Sequence, residues 1–480
     1  MVINHPLVFS FMLIPLLTLS GAGHTDELAA DVPSQIVALH NSDYQAIQAT
    51  LSPLVSGLRI QDILQLSTHS NPEMRAFFLM NLLDKLPPES AQVAITRLME
   101  DTDEKVSRHA IEQRLRSIGI RNRYGEPTES DRDALSRLDA RDIRLMINQM
   151  GRDGALDYAP SCRGLVPSVN SNISWALSHV GGPLVDMVTD AASHNEAAVR
   201  ARIAIVLGNR IVMDGTTIRA LIKGLEDRDI SVRISSATAL GNAKQETRQV
   251  SAALIRHRSL NATSSEHKQL RTAIIDSLGK LSSPNCCNVR YLVEALEDED
   301  FPSRRLISTH LGRLAKTDPY VTSVLIELLS SDKPWVVECA LSSLKTVGTE
   351  AASAVPKLKQ MLQKELSPVI ARTLWAIENN AGSVLPCYSA ILKSGNQTSE
   401  VIQIEALTGL KEMGPSAGSA VSDIVELLDA DRRVARIAIS VLRAIGPEAK
   451  AAVPSLQNIV DTKKESLHSL AKYALTKIKG

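Results

Sequence analysis

Apolar residues along this chain recur mostly at steps of three and four, the period of an α-helix with one buried face. Between Thr216 and Leu225, the residues Ile218, Leu221, Ile222 and Leu225 share one side. A second such stretch opens at Asp229 and runs through Val232, Ile234, Ala237 and Leu240 to Gly241. The pattern predicts two short amphipathic helices, and the pair recurs. Gly208, Gly241, Gly279, Gly312, Gly348, Gly382, Gly414 and Gly446 are separated by 33, 38, 33, 36, 34, 32 and 32 residues. Gly348, Gly414 and Gly446 are read as helix ends, where glycine tolerates the backbone that a C-cap needs. Near the C-terminus a phrase repeats around these glycines: Gly348-Thr349-Glu350-Ala351 leads to Ala354-Val355-Pro356, and Gly446-Pro447-Glu448-Ala449 to Ala452-Val453-Pro454. Gly414-Pro415-Ser416-Ala417 leads to Ala420-Val421 in the same way.

A period near 34 with two helices per unit predicts an all-α fold that grows by stacking, an α-solenoid. Dividing about 450 residues by roughly 34 gives about 13 helical hairpins. The second helix of a pair has its own opening, an acid or Asn four residues before an Arg: Asn71 and Arg75, Glu196 and Arg200, Asp229 and Arg233, Asp300 and Arg304. The first residue suits an N-cap, and the pair spans one turn along one side of the helix.

These phrases resemble the HEAT family, in particular the bacterial HEAT-like repeats first described in phycobilisome lyases. The resemblance is carried by Asp229-Ile230-Ser231-Val232-Arg233 with Ala237-Thr238-Ala239-Leu240-Gly241, and by Gly446 with Ala449 and Ala452-Val453-Pro454. It covers about Asp31 to Gly480 and is strongest after Gly181. It implies an ARM/HEAT-type superhelix whose neighbouring repeats are joined by a ladder of Asp and Arg side chains, here at Asp229 and Arg233. The other opening pairs would be its structural counterparts.

Regularity breaks between Gly119 and Gly181. The helical stretch Asp139 to Met150 fits a first helix, and Asn172 to Val180 fits the end of a second. Between them lie the 17 residues Gly151 to Pro167, where about 2–8 usually join two helices. A further joint, Ile120 to Leu138, precedes this pair. The expected organisation is therefore a leader over 1–22, degenerate repeats over 23–119, an irregular repeat with a long insertion over 120–180, and regular repeats over 181–480. The leader is an apolar run from Leu7 to Leu19, too short to span a bilayer, followed by the small residues Ser20-Gly21-Ala22. It reads as a secretory signal peptide, so the expected location is secreted or periplasmic, without membrane insertion after cleavage. Met1 to Pro6 lacks the usual basic residues.

Composition narrows the function classes. Lys plus Arg and Asp plus Glu are 53 each, so no global field favours nucleic acid. Aromatics at 3% are thin for base stacking. The 5 cysteines form no C-x-x-C, and Cys339 sits inside a helical pattern where a small buried residue belongs. The 11 histidines form no metal-spaced pair, no catalytic motif appears, and no cofactor is expected. One charge bias stands out: Lys105, Arg108, Arg114, Arg116, Arg121 and Arg123 face a single acid, Glu112. Arg108, Glu112 and Arg116 also sit at the spacing of a self-paired solvated stripe. The candidate partner-binding residues are Arg108, Arg116, Arg121, Arg123 and Tyr124, with Arg152, Tyr158 and Arg163 on the insertion. Trp175, Trp335 and Trp375 fall where second helices would pack. The expected function is an exported, non-enzymatic scaffold for another protein or an extended peptide, of unspecified oligomeric state. The resemblance supplies two alternatives, a chromophore lyase or chromophore-binding protein and a nucleic-acid-binding HEAT-like protein.

Overall fold

A computed structural model describes residues 44–53, 58–120, 126–152, 169–210, 212–257, 264–281, 286–296, 301–394, 399–462 and 467–480. Among them there are helices and turns and no β-strand. The chain forms two compact units, Met1–Ala191 and Ala192–Gly480.

In the second unit the second helices stack one on the next to form a layer. They are Ala197–Gly208, Ile230–Leu240, Ser265–Lys280, Phe301–Ala315, Pro334–Val347, Pro368–Glu378, Glu400–Met413, Arg432–Ile445 and His468–Lys479, each packed on its neighbour in that order. First helices such as Gly215–Gly224 and Pro319–Leu328 pack on their own partners as a second layer. The sequence accounts for this division. Gly215–Gly224 keeps an apolar stripe, whereas Ile230–Leu240 buries Val232, Ser235, Ser236, Ala237, Ala239 and Leu240. A helix covered by two neighbours and its own partner must be small on most sides, so Ala and Ser replace larger residues. Their hydroxyls are satisfied within the stack: Ser277 Oγ donates to the Ala237 carbonyl at 2.7 Å, and Ser343 Oγ to the Cys339 carbonyl at 2.7 Å.

Four of the recurring glycines, Gly208, Gly241, Gly279 and Gly312, serve this packing. Gly208 lies inside the end of its helix, and a Cβ there would stand 2.6 Å from the Ala239 Cβ and 2.7 Å from its Cα. A Cβ on Gly241 would approach the Ser277 Cα to 2.9 Å, and Gly279 and Gly312 meet His310 and Thr346 in the same way. Only Gly348, Gly414 and Gly446 close helices at positive φ, at 74°, 57° and 71°. Each then opens a seven-residue 3-10 segment, Gly348–Ala354, Gly414–Ala420 and Gly446–Ala452. Gly382 sits in the first turn of Ala381–Lys393, and the left-handed residue that ends the preceding helix is Asn379, at φ 49°. Asn substitutes for Gly there because its side chain tolerates the left-handed region.

In the first unit, Tyr44–Leu51, Pro72–Asn81, Glu104–Ser117 and Val169–His179 stack in order, with Ile60–Leu66 and Pro88–Leu98 beside them. Ala140–Arg152 occupies a first-helix place, and Leu184–Asp190 packs on it. The joint over Ile120 to Leu138 contains a helix of its own, Glu129–Ser136. Its start is fixed by a capping box, in which Thr128 Oγ1 accepts from the Asp131 N–H and Asp131 accepts from the Thr128 N–H. Residues 153–168, most of the long insertion, lie outside the described residues.

Candidate functional site

Two arginines of the second helices, Arg75 and Arg200, find acids in the next repeat and not four residues before themselves. Arg200 donates through Nε to Asp227 at 2.7 Å and through Nη2 at 2.8 Å, a bidentate pair in which the arginine is buried and the aspartate largely so. Its Nη1 also donates to the His194 and Asn195 carbonyls. Arg75 repeats the arrangement with Asp101, at 2.7 and 2.8 Å, and with the His69 and Ser70 carbonyls. In each rung the acid also accepts a backbone N–H two residues on, from Asp229 or Asp103, and so fixes the turn that opens its own second helix. Hydrogen bonds from Arg200 hold the Asp227 carboxyl below its ordinary range.

The expected ladder residues fall on both sides of this geometry. Asn71 and Asp229 are N-caps, accepting from the Glu73 and Ser231 N–H groups at 2.9 Å each. Glu196 occupies an N-cap position without a side-chain cap. The buried Arg233 Nε has no partner among the described residues. One repeat ahead of it the chain reads His257-Arg258-Ser259-Leu260-Asn261-Ala262-Thr263-Ser264, with no acid. Asp300 lies outside the described residues, and the Arg304 guanidinium sits over the Trp335 ring at 5.0 Å. Trp335 Nε1 donates to the Leu296 carbonyl at 3.0 Å. Trp175 is buried against His179, with ring centroids 4.6 Å apart.

The basic stretch singled out in the sequence is largely neutralised where it is described. Arg108 pairs with Glu104 at 2.7 Å, Arg116 with Glu112 at 2.5 Å and Arg114 with Asp142 at 2.8 Å. Lys105 pairs with Glu73 at 2.7 Å and lies over the Tyr44 ring. Arg121, Arg123, Tyr124, Tyr158 and Arg163 lie outside the described residues, as does the side chain of Arg152.

A different cationic surface remains, on the second-helix layer of the second unit. Arg433, Arg436, Ser440 and Arg443 are spaced three, four and three residues apart on Arg432–Ile445, so they form one stripe along that helix. With Thr408 and Lys411 of Glu400–Met413 and Leu470 of His468–Lys479 they line a cavity of about 470 Å³ across three successive second helices. No acid lines it. Arg433 has only a long contact with Glu400, at 3.7 Å, and both side chains are solvent-accessible. Lys411 and Arg436 are exposed and have no ion-pair partner among the described residues. The Arg443 guanidinium is held 5.3 Å from the centre of the exposed Tyr473 ring. Nearby Glu412 is already engaged: it accepts from Lys345 at 2.8 Å and from Arg372, tying three second helices together. Burial pushes its carboxyl up, but these bonds outweigh burial and hold it below its ordinary range. The stripe could have been found in the sequence by testing the polar face of each helix as well as the apolar one.

Among the described residues no group of three or more His, Cys, Asp or Glu side chains could hold a metal, and no helix is long and apolar enough to cross a membrane. Cys339 and Cys387 are buried thiols, and burial pushes each up to about 11.

Residues 289–378 match the family model for HEAT repeats. No curated protein matches the chain, so the narrower likeness to phycobilisome lyases gains no support. Among solved structures, the karyopherin Kap121p bound to the SUMO protease Ulp1p aligns with 87% of this chain and 52% of its own, at 13% identity and a TM-score of 0.51. Kap121p bound to Pho4p covers the same shares at 12% identity and a TM-score of 0.49. YibA of E. coli aligns with 66% of this chain and 99% of its own, at 18% identity and a TM-score of 0.34. The chain thus spans about half the length of Kap121p, and likeness at such identities is one of fold. The period and the stacked hairpins give this chain an all-α solenoid fold, and residues 289–378 within it are similar to HEAT repeats.

Proposed function

We propose that the chain is a non-enzymatic scaffold that binds another protein, or an extended peptide from one, along the second-helix layer of its second unit. The observation that carries this reading is the cationic groove between Glu400–Met413, Arg432–Ile445 and His468–Lys479, where Lys411, Arg436 and Arg443 have no ion-pair partner among the described residues and Arg433 has only the long contact with Glu400. A rigid helical layer with unpaired charge is a recognition surface, since complementary charge sets orientation and encounter rate. The match of fold to Kap121p, a complex with the protein Ulp1p, supports the same reading at the level of fold. We further propose that the chain is exported and that residues 1–22 are removed. Terminal sequencing of the mature protein from its host would then start near Gly23.

Cross-linked affinity capture of the tagged full-length protein from its native host, read by mass spectrometry and by an absorption spectrum, tests the scaffold. A stoichiometric protein partner, cross-linked to second helices of residues 192–480, is the expected result. Bound pigment without a protein partner, or turnover traced to this chain alone, would overturn it.

A further inference from the structure

We infer that the groove lined by Lys411, Arg433, Arg436 and Arg443 binds an extended acidic segment, a run of Asp and Glu residues, of the protein partner; the inference rests on the scaffold reading above.

The argument begins with unbalanced charge. Four cations and, among the described residues, no acid line the cavity; Glu400 makes one long contact with Arg433, and Glu412 is taken by Lys345 and Arg372. A ligand that brings carboxylates supplies what the groove lacks, and each guanidinium can take a carboxylate in a two-pronged geometry. The arrangement also selects among anions. From Arg433 to Arg443 is ten residues of helix, roughly 15 Å at about 1.5 Å per residue. Cations strung out over that length suit separate carboxylates and do not converge on one phosphate.

The same groove crosses three packed helices, roughly 20 Å at about 8–10 Å between axes. An extended peptide covers that distance with about six residues at roughly 3.3 Å each. Ile437 and Leu470 add an apolar wall for the peptide's backbone and intervening side chains. Single-stranded nucleic acid, the competing polyanion, gains much of its affinity from aromatic stacking. Here no aromatic side chain among the described residues lines the groove, and the Arg443 guanidinium lies over the ring of Tyr473.

The test uses the full-length protein and a fluorescein-labelled peptide of alternating Glu and Ser, long enough to cross the groove, with a thymidine oligonucleotide of matched charge for comparison. Fluorescence anisotropy should show saturable peptide binding that weakens on raising salt from about 50 to about 200 mM. Arg436→Glu should weaken it by about tenfold or more, which corresponds to about 1.4 kcal/mol. Because Arg436 is exposed and unpaired, its variant should keep the parent melting temperature. Arg248→Glu, on the exposed side of the first helix Thr247–Arg256, should leave binding unchanged. Absent peptide binding, equal loss in both variants, or tighter binding of the oligonucleotide would each overturn the inference. The native partner separates this from the scaffold reading. Equal capture by the parent and by Arg436→Glu refutes the groove and leaves the scaffold standing, whereas absent capture by both refutes the scaffold.

Discussion

Two kinds of glycine share one period in this chain, and only a residue-level view separates them. Gly208 permits a backbone approach in which a Cβ would fall 2.7 Å from the Ala239 Cα, while Gly446 has open space but a φ of 71°. Gly208→Ala forces two helices apart and should cost about 1–3 kcal/mol, the range for overpacking a core. Gly446→Ala meets no neighbour and should cost about 1–2 kcal/mol, the strain of a left-handed L-residue. Urea melts of the two variants check this. A neutral Gly208→Ala would mean the stacked helices have slack that the packing around Ala239 denies. The spacing of the glycines was legible in the sequence, but its cause was not, because close approach depends on a helix some thirty residues away. Their reading as caps held for Gly348, Gly414 and Gly446, where proline or the recurring Ala-Val phrase marks the turn locally.

At the scale of the helical element, the second helices are joined by rungs that couple one repeat to the next. Arg200 is the clearest case, buried and bidentate to Asp227. The folded Asp227 carboxyl is held below its ordinary range by Arg200. Its stabilising contribution is therefore complete above the unfolded pKa of about 3.9 and disappears as pH falls through the lower folded value. Asp227→Asn should lower stability by roughly 3 kcal/mol at pH 7, since a buried cation loses its partner. The gap between variant and parent should narrow on acidification below about pH 4. Denaturant melts across pH would show this, and a constant gap would contradict the rung. Val232 lies at 2% exposure between repeats, so Val232→Asp should cost several kcal/mol, at the upper end of about 0.5–3 or beyond. A negligible shift in melting temperature would contradict the helix phase. The sequence located the arginines, yet their partners lie 27 residues on from Arg200 and 26 on from Arg75. The residue at four before each arginine looked sufficient because it answers a different need, the N-cap, at Asn71 and Asp229.

Over the whole molecule, an α-solenoid adds core by adding hairpins, so its surface is as regular as its interior and binding residues can lie on any repeat. That regularity made the fold readable from one sequence: helix period, paired stretches and recurring turns all agree. The candidate site was harder to read. The basic stretch from Lys105 to Arg116 drew attention by its density, but density along the chain placed each base beside an acid from the same or a neighbouring helix. In the groove of the second unit Arg433, Arg436 and Arg443 form a stripe on the polar face of one helix, and Lys411 joins them only when the second helices stack. The groove's charge is also invisible in the total, because 53 acids balance 53 bases across the chain.

The most direct test of the central claim, that the second-helix layer of the second unit is the binding surface, is site-specific photo-cross-linking in the native host. A photoreactive residue is placed at Ser440, inside the groove, and in parallel at Arg248, on a first helix. The account requires a discrete protein adduct from position 440, competed by the Glu-Ser peptide, and none from position 248. Adducts of equal yield from both positions, or from position 248 alone, would contradict it.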